Sequence, residues 1–305
     1  MHALSLFRGT RFRTVTTALA VCCTAGLVLS GCSEPEEEPT VKPTTSKVTV
    51  TGTADEVPKI EYDEPFVFED PVSEVLWEGA GEKIDDGSWM LLRMHVVDPD
   101  TGEPVRSDYE GVPAPYFMDE ETIGTELYDL VKDVPAGSRV MQVTGEGSES
   151  RIIVMDVLPA MSVGEEKSVE EGMPEISYSR SGEPKIKIPK GLKKPEGLAV
   201  QQLKTGGSQQ VEANSQVVVQ YVAATWKKGK VIDSTWDKKR GPVTVQIGSD
   251  QLISGLDQNL LGAPVGSQLL IVIPPELGFG PSESALADDT LIYVVDILAA
   301  SQGRE

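Results

Sequence analysis

Apolar and polar positions fall into the same succession of patterns twice along this chain, and the later succession is the clearer. It opens at Val217-Val218-Val219-Gln220-Tyr221-Val222, a β-branched run that reads as a buried strand through Ala224. A Lys-Lys-Gly-Lys turn and a short run from Val231 to Ser234 come next. Val243, Val245 and Ile247 then alternate with Thr244 and Gln246, the period of a half-buried strand. Leu252, Ile253, Leu256 and Leu260 share one face of a helix starting near Gln251, with Ser249 or Asp250 as its cap. Gly262, with Pro264 beyond it, ends that helix. Gln268 to Ile273 and Thr290 to Leu298 are further strands. An antiparallel sheet with one short helix packed on it is an α+β arrangement.

An earlier stretch repeats this order. Val134-Pro135-Ala136-Gly137-Ser138-Arg139-Val140-Met141 matches Ala263-Pro264-Val265-Gly266-Ser267-Gln268-Leu269-Leu270. Ile152-Ile153-Val154-Met155-Asp156-Val157-Leu158 matches Leu291-Ile292-Tyr293-Val294-Val295-Asp296-Ile297. Ser88 to Val96 parallels Ser215 to Ala223, and a helix-like run precedes each Pro-x-Gly-Ser turn. The chain is therefore read as two copies of one domain, at 61–160 and 197–301. Residues 161–196, rich in Glu, Lys, Ser, Pro and Gly, read as a solvated linker. Within it, Ile176-Ser177-Tyr178 and Lys185-Ile186-Lys187-Ile188 alternate as a small edge hairpin would.

The N-terminus reads as a targeting segment. Arg8, Arg11 and Arg13 precede an apolar stretch from Val15 to Leu29, which ends in Leu29-Ser30-Gly31-Cys32. Residues 1–31 resemble a bacterial lipoprotein signal peptide, which implies lipidation at Cys32 and a cell-membrane location on the extracytoplasmic face. Residues 32–60, rich in Glu, Pro, Thr and Ser, read as a flexible tether. The net charge of −21, more negative still without the leader arginines, excludes nucleic acid as a partner. The three cysteines are Cys22, Cys23 and Cys32, so the two domains carry no disulfide framework and no Cys-based metal site. His95 is the only histidine after the leader, which removes Ser-His catalysis and zinc from consideration.

In the second copy, Val218-Val219-Gln220-Tyr221, Gly229-Lys230-Val231-Ile232-Asp233-Ser234, Ile253-Ser254-Gly255-Leu256 and Ile273-Pro274-Pro275-Glu276-Leu277-Gly278-Phe279-Gly280 stand in one register. With Leu291-Ile292-Tyr293-Val294-Val295-Asp296, they resemble the FKBP family of macrolide-binding peptidyl-prolyl cis-trans isomerases. The first copy resembles a degenerate member. The resemblance implies two FKBP-like domains, each a curved antiparallel sheet wrapped around a short helix. It also implies an apolar pocket in the second, and isomerase activity that needs no metal or cofactor.

Carried over residue by residue, Tyr221, Asp233, Ile253 and Phe279 match the family's catalytic positions. Ile232, Val243, Leu252, Leu256 and Tyr293 match its substrate-binding wall. The implied role of Ile253 is a backbone N–H donor to the substrate carbonyl, and that of Tyr221 a partner for the Asp233 carboxylate. Leu256 stands where the family usually has Trp, and Ile232 where it usually has Phe. Phe279 lacks the usual Tyr hydroxyl, and the loop from Pro281 to Asp289 lacks the usual Ile-Pro-Pro. A shallow pocket with weak macrolide affinity is the expectation. The implied partners are proline-containing exported polypeptides, whose folding the chain would assist. The alternative is a catalytically weak chaperone or binding scaffold at the cell surface. The first copy, with Met94 in place of Tyr221 and Arg106 in place of Asp233, is expected to be non-catalytic.

Overall fold

The computed structural model of this chain describes residues 46–54, 56–145, 149–237, 239–249, 251–280 and 282–303. The leader, Cys32, most of the expected tether, Asp250 as a helix cap, Pro281, and Glu146 to Ser148 of the first copy's short tip lie outside them.

A hairpin of β1 (Val48–Thr51) and β2 (Lys59–Tyr62) leads into the first copy. Its strands are β3 (Val72–Trp77), β4 (Trp89–Val97), β5 (Pro104–Ser107), β6 (Ala114–Phe117), β7 (Arg139–Thr144) and β8 (Arg151–Pro159). Two short helices, α1 (Glu120–Ile123) and α2 (Thr125–Val131), lie between β6 and β7. A second hairpin, β9 (Glu175–Tyr178) with β10 (Pro184–Lys187), leads into the second copy. There follow β11 (Ala199–Lys204), β12 (Gln216–Thr225), β13 (Val231–Ser234), β14 (Val243–Gln246), α3 (Ser254–Leu260), β15 (Gln268–Ile273) and β16 (Leu291–Ala300).

Each copy is a six-stranded antiparallel sheet. The orders are β3-β7-β8-β4-β5 and β11-β15-β16-β12-β13, and β6 and β14 take the remaining halves of β4 and β12. The Pro-x-Gly-Ser turns agree bond for bond. Ser138 Oγ donates to Pro135 O at 2.7 Å, and Ser267 Oγ to Pro264 O at 2.6 Å. Gly137 N donates to Val157 O, and Gly266 N to Ile297 O. The serine of each turn is fully buried, so its polar groups must find partners at the turn. That requirement accounts for the strict repetition of Pro, Gly and Ser.

Burial divides each sheet into two faces. In the second copy the inner face and α3 form one cluster with Val217, Val219, Ala223, Ile271, Ile273, Val295 and Ile297. Leu256 and Leu260 of α3 join it, each contributing on the order of 1.5–3 kcal/mol by burial. Leu203, Leu270, Ile292 and Val294 lie in a separate cluster, covered by Ile176 and Ile186 of the β9–β10 hairpin together with Ile188 and Trp226. In the first copy Val48, Val50, Ile60 and Tyr62 of β1–β2 cover Met141, Val143, Ile152 and Val154 in the same way. The copies meet where Leu91 and Leu158 pack with Val218, Leu298 and Ala299. Ser162 ties the linker to the second copy, its N–H donating to Asp296 Oδ1 at 3.0 Å and its Oγ to Ser267 O at 2.8 Å.

Three expectations change. Residues 48–51 and 59–60, expected in the tether, are strands. Only alternate residues of the hairpin are half-buried and the rest are exposed, so its apolar density is low enough to pass for a spacer. Within 161–196 the expected hairpin forms, but as an apolar cover for the second sheet and not a solvated edge. The helix starts at Ser254 and not near Gln251. Ile253 is its N-cap with no side-chain cap bond, and Ser249 Oγ donates instead to Gln246 O. Gly255 sets that start. A Cβ there would fall 2.5 Å from Ile273 Cγ2, so the helix approaches β15 through its backbone.

Candidate active site

The inner face of the second sheet gathers the residues singled out from the sequence. Alternation along β12 turns Val217, Val219, Tyr221 and Ala223 into the cluster and sends Val218 to the opposite face. Leu256 and Tyr293 belong to the buried cluster. Tyr221, Ile232, Val243, Leu252, Ile253 and Phe279 pack against it half-buried. A half-buried apolar rim on a closed core is the surface a small apolar group can dock on.

Ile253 contributes through its backbone. Its extended conformation (φ −64°, ψ 145°) lets its carbonyl accept from Leu256 and Asp257 N–H, while its own N–H precedes the helix ladder. Phe279 follows a single 3₁₀ turn, Pro275–Leu277, closed by Gly278 and Gly280 N–H on the Pro275 carbonyl. This turn also sets Leu277 against the cluster. The rings of Tyr221 and Tyr293 lie 5.8 Å apart, tilted by 47°.

At the rim, Tyr221 Oη donates to Asp233 Oδ2 at 2.6 Å. Ser234 N–H donates to Asp233 Oδ1 at 2.9 Å, and the Arg240 guanidinium also bonds Oδ1. Burial, then the hydrogen bond to Asp233, pushes the Tyr221 phenol up to about 12, so it stays a neutral donor at ordinary pH. The Asp233 and Arg240 side chains are 36% and 48% exposed, so their attraction is screened and adds little stability. The arrangement fixes the Tyr221 ring against the apolar cluster and holds a carboxylate at the cluster's edge.

Arg240 did not emerge from the sequence pattern. It sits seven residues beyond Asp233 in an irregular loop, a spacing with no strand or helix period. The usable signal is electrostatic, because a carboxylate at an apolar edge calls for a cation, and Lys238, Lys239 and Arg240 follow it in the same loop. Leu277 was missed for another reason. Its Pro-Pro-Glu-Leu context reads as loop, while a single helical turn places it inward.

The first copy fills the equivalent position differently. Register aligns Met94 with Tyr221 and Arg106 with Asp233. Tyr116 Oη points at Met94 Sδ at 3.8 Å, and Arg106 is held by Asp108 at 2.9 Å. β7 and β8 are joined by residues 145–150, whereas 274–290 join β15 and β16 and carry Phe279.

The family model for FKBP-type peptidyl-prolyl cis-trans isomerases matches residues 207–298, which contain all of these second-copy residues. A probable FK506-binding protein of Corynebacterium glutamicum is 31% identical over 119 residues, 38% of this chain and 98% of the relative. An FK506-binding protein of Streptomyces anulatus is 31% identical over 120 residues, 38% of this chain and 95% of the relative. The peptidyl-prolyl cis-trans isomerase FKBP15-3 of Arabidopsis thaliana is 31% identical over 142 residues, 45% of this chain and 98% of the relative. The chain belongs to the FKBP-type family and is a peptidyl-prolyl cis-trans isomerase.

Proposed function

We propose that the isomerase reaction takes place in the pocket of the second copy and serves exported polypeptides at the extracytoplasmic face of the cell membrane. The observation that carries the site is the 2.6 Å bond from Tyr221 to Asp233 at the rim of the apolar cluster. An X-Pro amide rotates slowly because rotation breaks its resonance. The twisted amide is less zwitterionic than the planar one, so a dry apolar wall favours it. Proline docks on Leu256 and Tyr293, between Ile232, Val243, Leu252 and Phe279. The Ile253 N–H takes the substrate carbonyl, and the Asp233 carboxylate faces the amide. No step requires a metal or cofactor. FK506-binding relatives support a macrolide in the same pocket, weakened by the Leu256 floor.

The anchor rests on Leu29-Ser30-Gly31-Cys32, and the location follows from it. Replacing Cys32 by Ala should release the chain from the membrane fraction or leave it unprocessed. For the reaction, a protease-coupled assay on a proline tetrapeptide decides. Turnover well above background that falls in Asp233→Ala supports the pocket. Background turnover with retained polypeptide binding would make the chain a chaperone or scaffold instead.

A further inference from the structure

Between the two copies lies a cleft of about 930 Å³ that no part of the isomerase site uses. Trp89 and Phe117 of the first copy, Trp236 and Gln220 of the second, and the linker around Met161 and Ser181 line it. We propose that this cleft is a second polypeptide site, which holds an extended, uncharged, apolar or aromatic stretch of an unfolded chain beside the Tyr221 pocket. The proposal rests on the reading that the second copy acts on polypeptides.

Three observations carry it. The first is unfilled hydrogen-bonding capacity. Trp89 Nε1, Trp236 Nε1 and Gln220 Oε1 are buried without a hydrogen-bond partner among the described residues, and Gln220 as a whole is only 2% exposed. Groups of this kind are costly unless something pairs with them. Two indole N–H donors and one amide oxygen acceptor match the alternating carbonyls and N–H groups of a main chain. The indole and phenyl faces take its side chains.

The second observation is charge. The chain carries −21, yet the cleft wall balances Glu82, Asp85 and Glu166 against Lys83, Arg180 and Lys204. Glu166 and Lys204 pair with each other at 3.8 Å. A balanced wall in an acidic molecule selects against strongly charged ligands of either sign and favours an uncharged stretch.

The third is continuity with the pocket. Residues that follow β13 border both sites, Trp236 at the cleft and Arg240 at Asp233. Arg240 reaches Asp233 at the pocket rim, while its neighbour Gly241 lies against the Trp89 indole. A Cβ at Gly241 would fall 2.5 Å from that ring, and φ there is +63°, so the loop needs glycine to seat the tryptophan. Gln220 and Tyr221 are adjacent on β12, and alternation sends their side chains to opposite faces of the sheet. A chain held in the cleft therefore reaches the pocket by crossing one loop, at the high effective concentration of a short tether.

The test obstructs the cleft from one exposed residue of its lining and leaves the tryptophans and Gln220 in place. All three cysteines lie in the leader and at Cys32, so they are replaced by Ser in the full chain and Ser181→Cys is added. Ser181 is an exposed turn residue that bonds only Ser179 Oγ among the described residues, at 3.0 Å. The probe is reduced, carboxymethylated α-lactalbumin, a permanently unfolded chain. Before labelling, the variant should bind it with the affinity of its Ser181 parent. Labelling with a bulky maleimide should weaken binding at least about tenfold while tetrapeptide turnover stays within about twofold. Unchanged binding after labelling, or no binding by the parent, would overturn the proposal. Loss of tetrapeptide turnover in the parent, with maleimide-sensitive binding intact, would defeat the isomerase reading and leave the cleft standing.

Discussion

Two equivalent positions in the two copies hold opposite chemistry on one scaffold. In the second copy Tyr221 and Asp233 face each other across β12 and β13, joined by a 2.6 Å bond. In the first, Met94 packs under Tyr116 and Arg106 turns to Asp108. The strand orders and the Pro-x-Gly-Ser turn are the same in both. The turn, whose buried serine bonds the proline carbonyl in both copies, is thus what the fold requires. The Tyr-Asp pair is replaceable as far as folding goes, so its presence in one copy alone points to use. A second contrast runs the other way. A buried carboxylate on the last strand of each copy is retained, but Asp156 faces the buried cation Arg139 and Asp296 faces neutral Gln268.

The sharpest way to break this second contrast is to remove Asp156. The Arg139 side chain is fully buried, bonded to Asp156 at 2.5 and 2.9 Å and stacked 4.4 Å over Trp77. Asp156→Ala leaves that cation, among the described residues, with Tyr109 Oη, the Thr53 carbonyl and the Trp77 ring. Breaking a buried pair from one side costs about 3–5 kcal/mol, chiefly through the stranded charge. Urea unfolding of the full chain should show a first-copy transition shifted by that amount and an unshifted second-copy transition. A loss below about 1 kcal/mol would show that the two neutral acceptors suffice for Arg139.

Next in size is Asp233→Ala. The loss of a charged hydrogen-bond contribution of roughly 1.5–3 kcal/mol corresponds to about 10- to 150-fold in kcat/KM. The lower end is expected, since the carboxylate is partly solvated. The domain should stay folded, as the first copy does with Arg106 in that place. Full turnover in this variant, from an active parent, would make Asp233 a turn residue only.

The sequence made the inner face of the second sheet legible, because β-branched and alternating runs report a face directly. Tyr221, Ile232, Val243, Leu256 and Tyr293 were placed together on that basis and on the family resemblance. What it hid were contacts set by tertiary packing. Val48 and Val50 look like sparse apolar residues in a spacer until the outer face of β7 and β8 needs a cover. Arg240 carries no periodic signal, and its role exists only because a loop folds back on Asp233. The start of α3 was misplaced by a rule that seeks a polar cap, whereas the close approach of Gly255 to Ile273 decides where the helix begins.

A pH experiment sharpens the contrast between the two carboxylates. Burial pushes the Asp296 carboxyl up to about 6, outweighing hydrogen bonds from Ser162 and Gln268 and the charge of Lys204. Its ordinary value is 3.8. The folded chain therefore binds this proton more tightly than the unfolded chain does. The resulting stabilisation is complete below the ordinary value and is lost as pH rises through about 6. Asp296→Asn cannot titrate, so its stability relative to the parent should improve between about pH 4 and pH 7. A shift of one unit corresponds to about 1.4 kcal/mol, which denaturant titrations at the two pH values resolve. A pH-independent difference would mean that Asp296 stays ionised in the fold.

The smallest expected effect probes the Tyr221–Asp233 bond itself. Tyr221→Phe removes a neutral hydroxyl and keeps the ring that packs on Tyr293. Asp233 retains the Ser234 N–H and Arg240, so its charge is not stranded. The loss is then that of one neutral donor, roughly 0.5–1.5 kcal/mol, or about two- to twelvefold in kcat/KM. Because hydroxyl and carboxylate act through one bond, Tyr221→Phe combined with Asp233→Ala should cost less than the two losses added. Steady-state turnover of the parent, both single variants and the double variant closes the cycle. Strict additivity would separate the two residues, with Tyr221 a wall of the pocket and Asp233 acting on the substrate unaided. In that case Met94 and Arg106 in the first copy would be two independent replacements and not one lost pair.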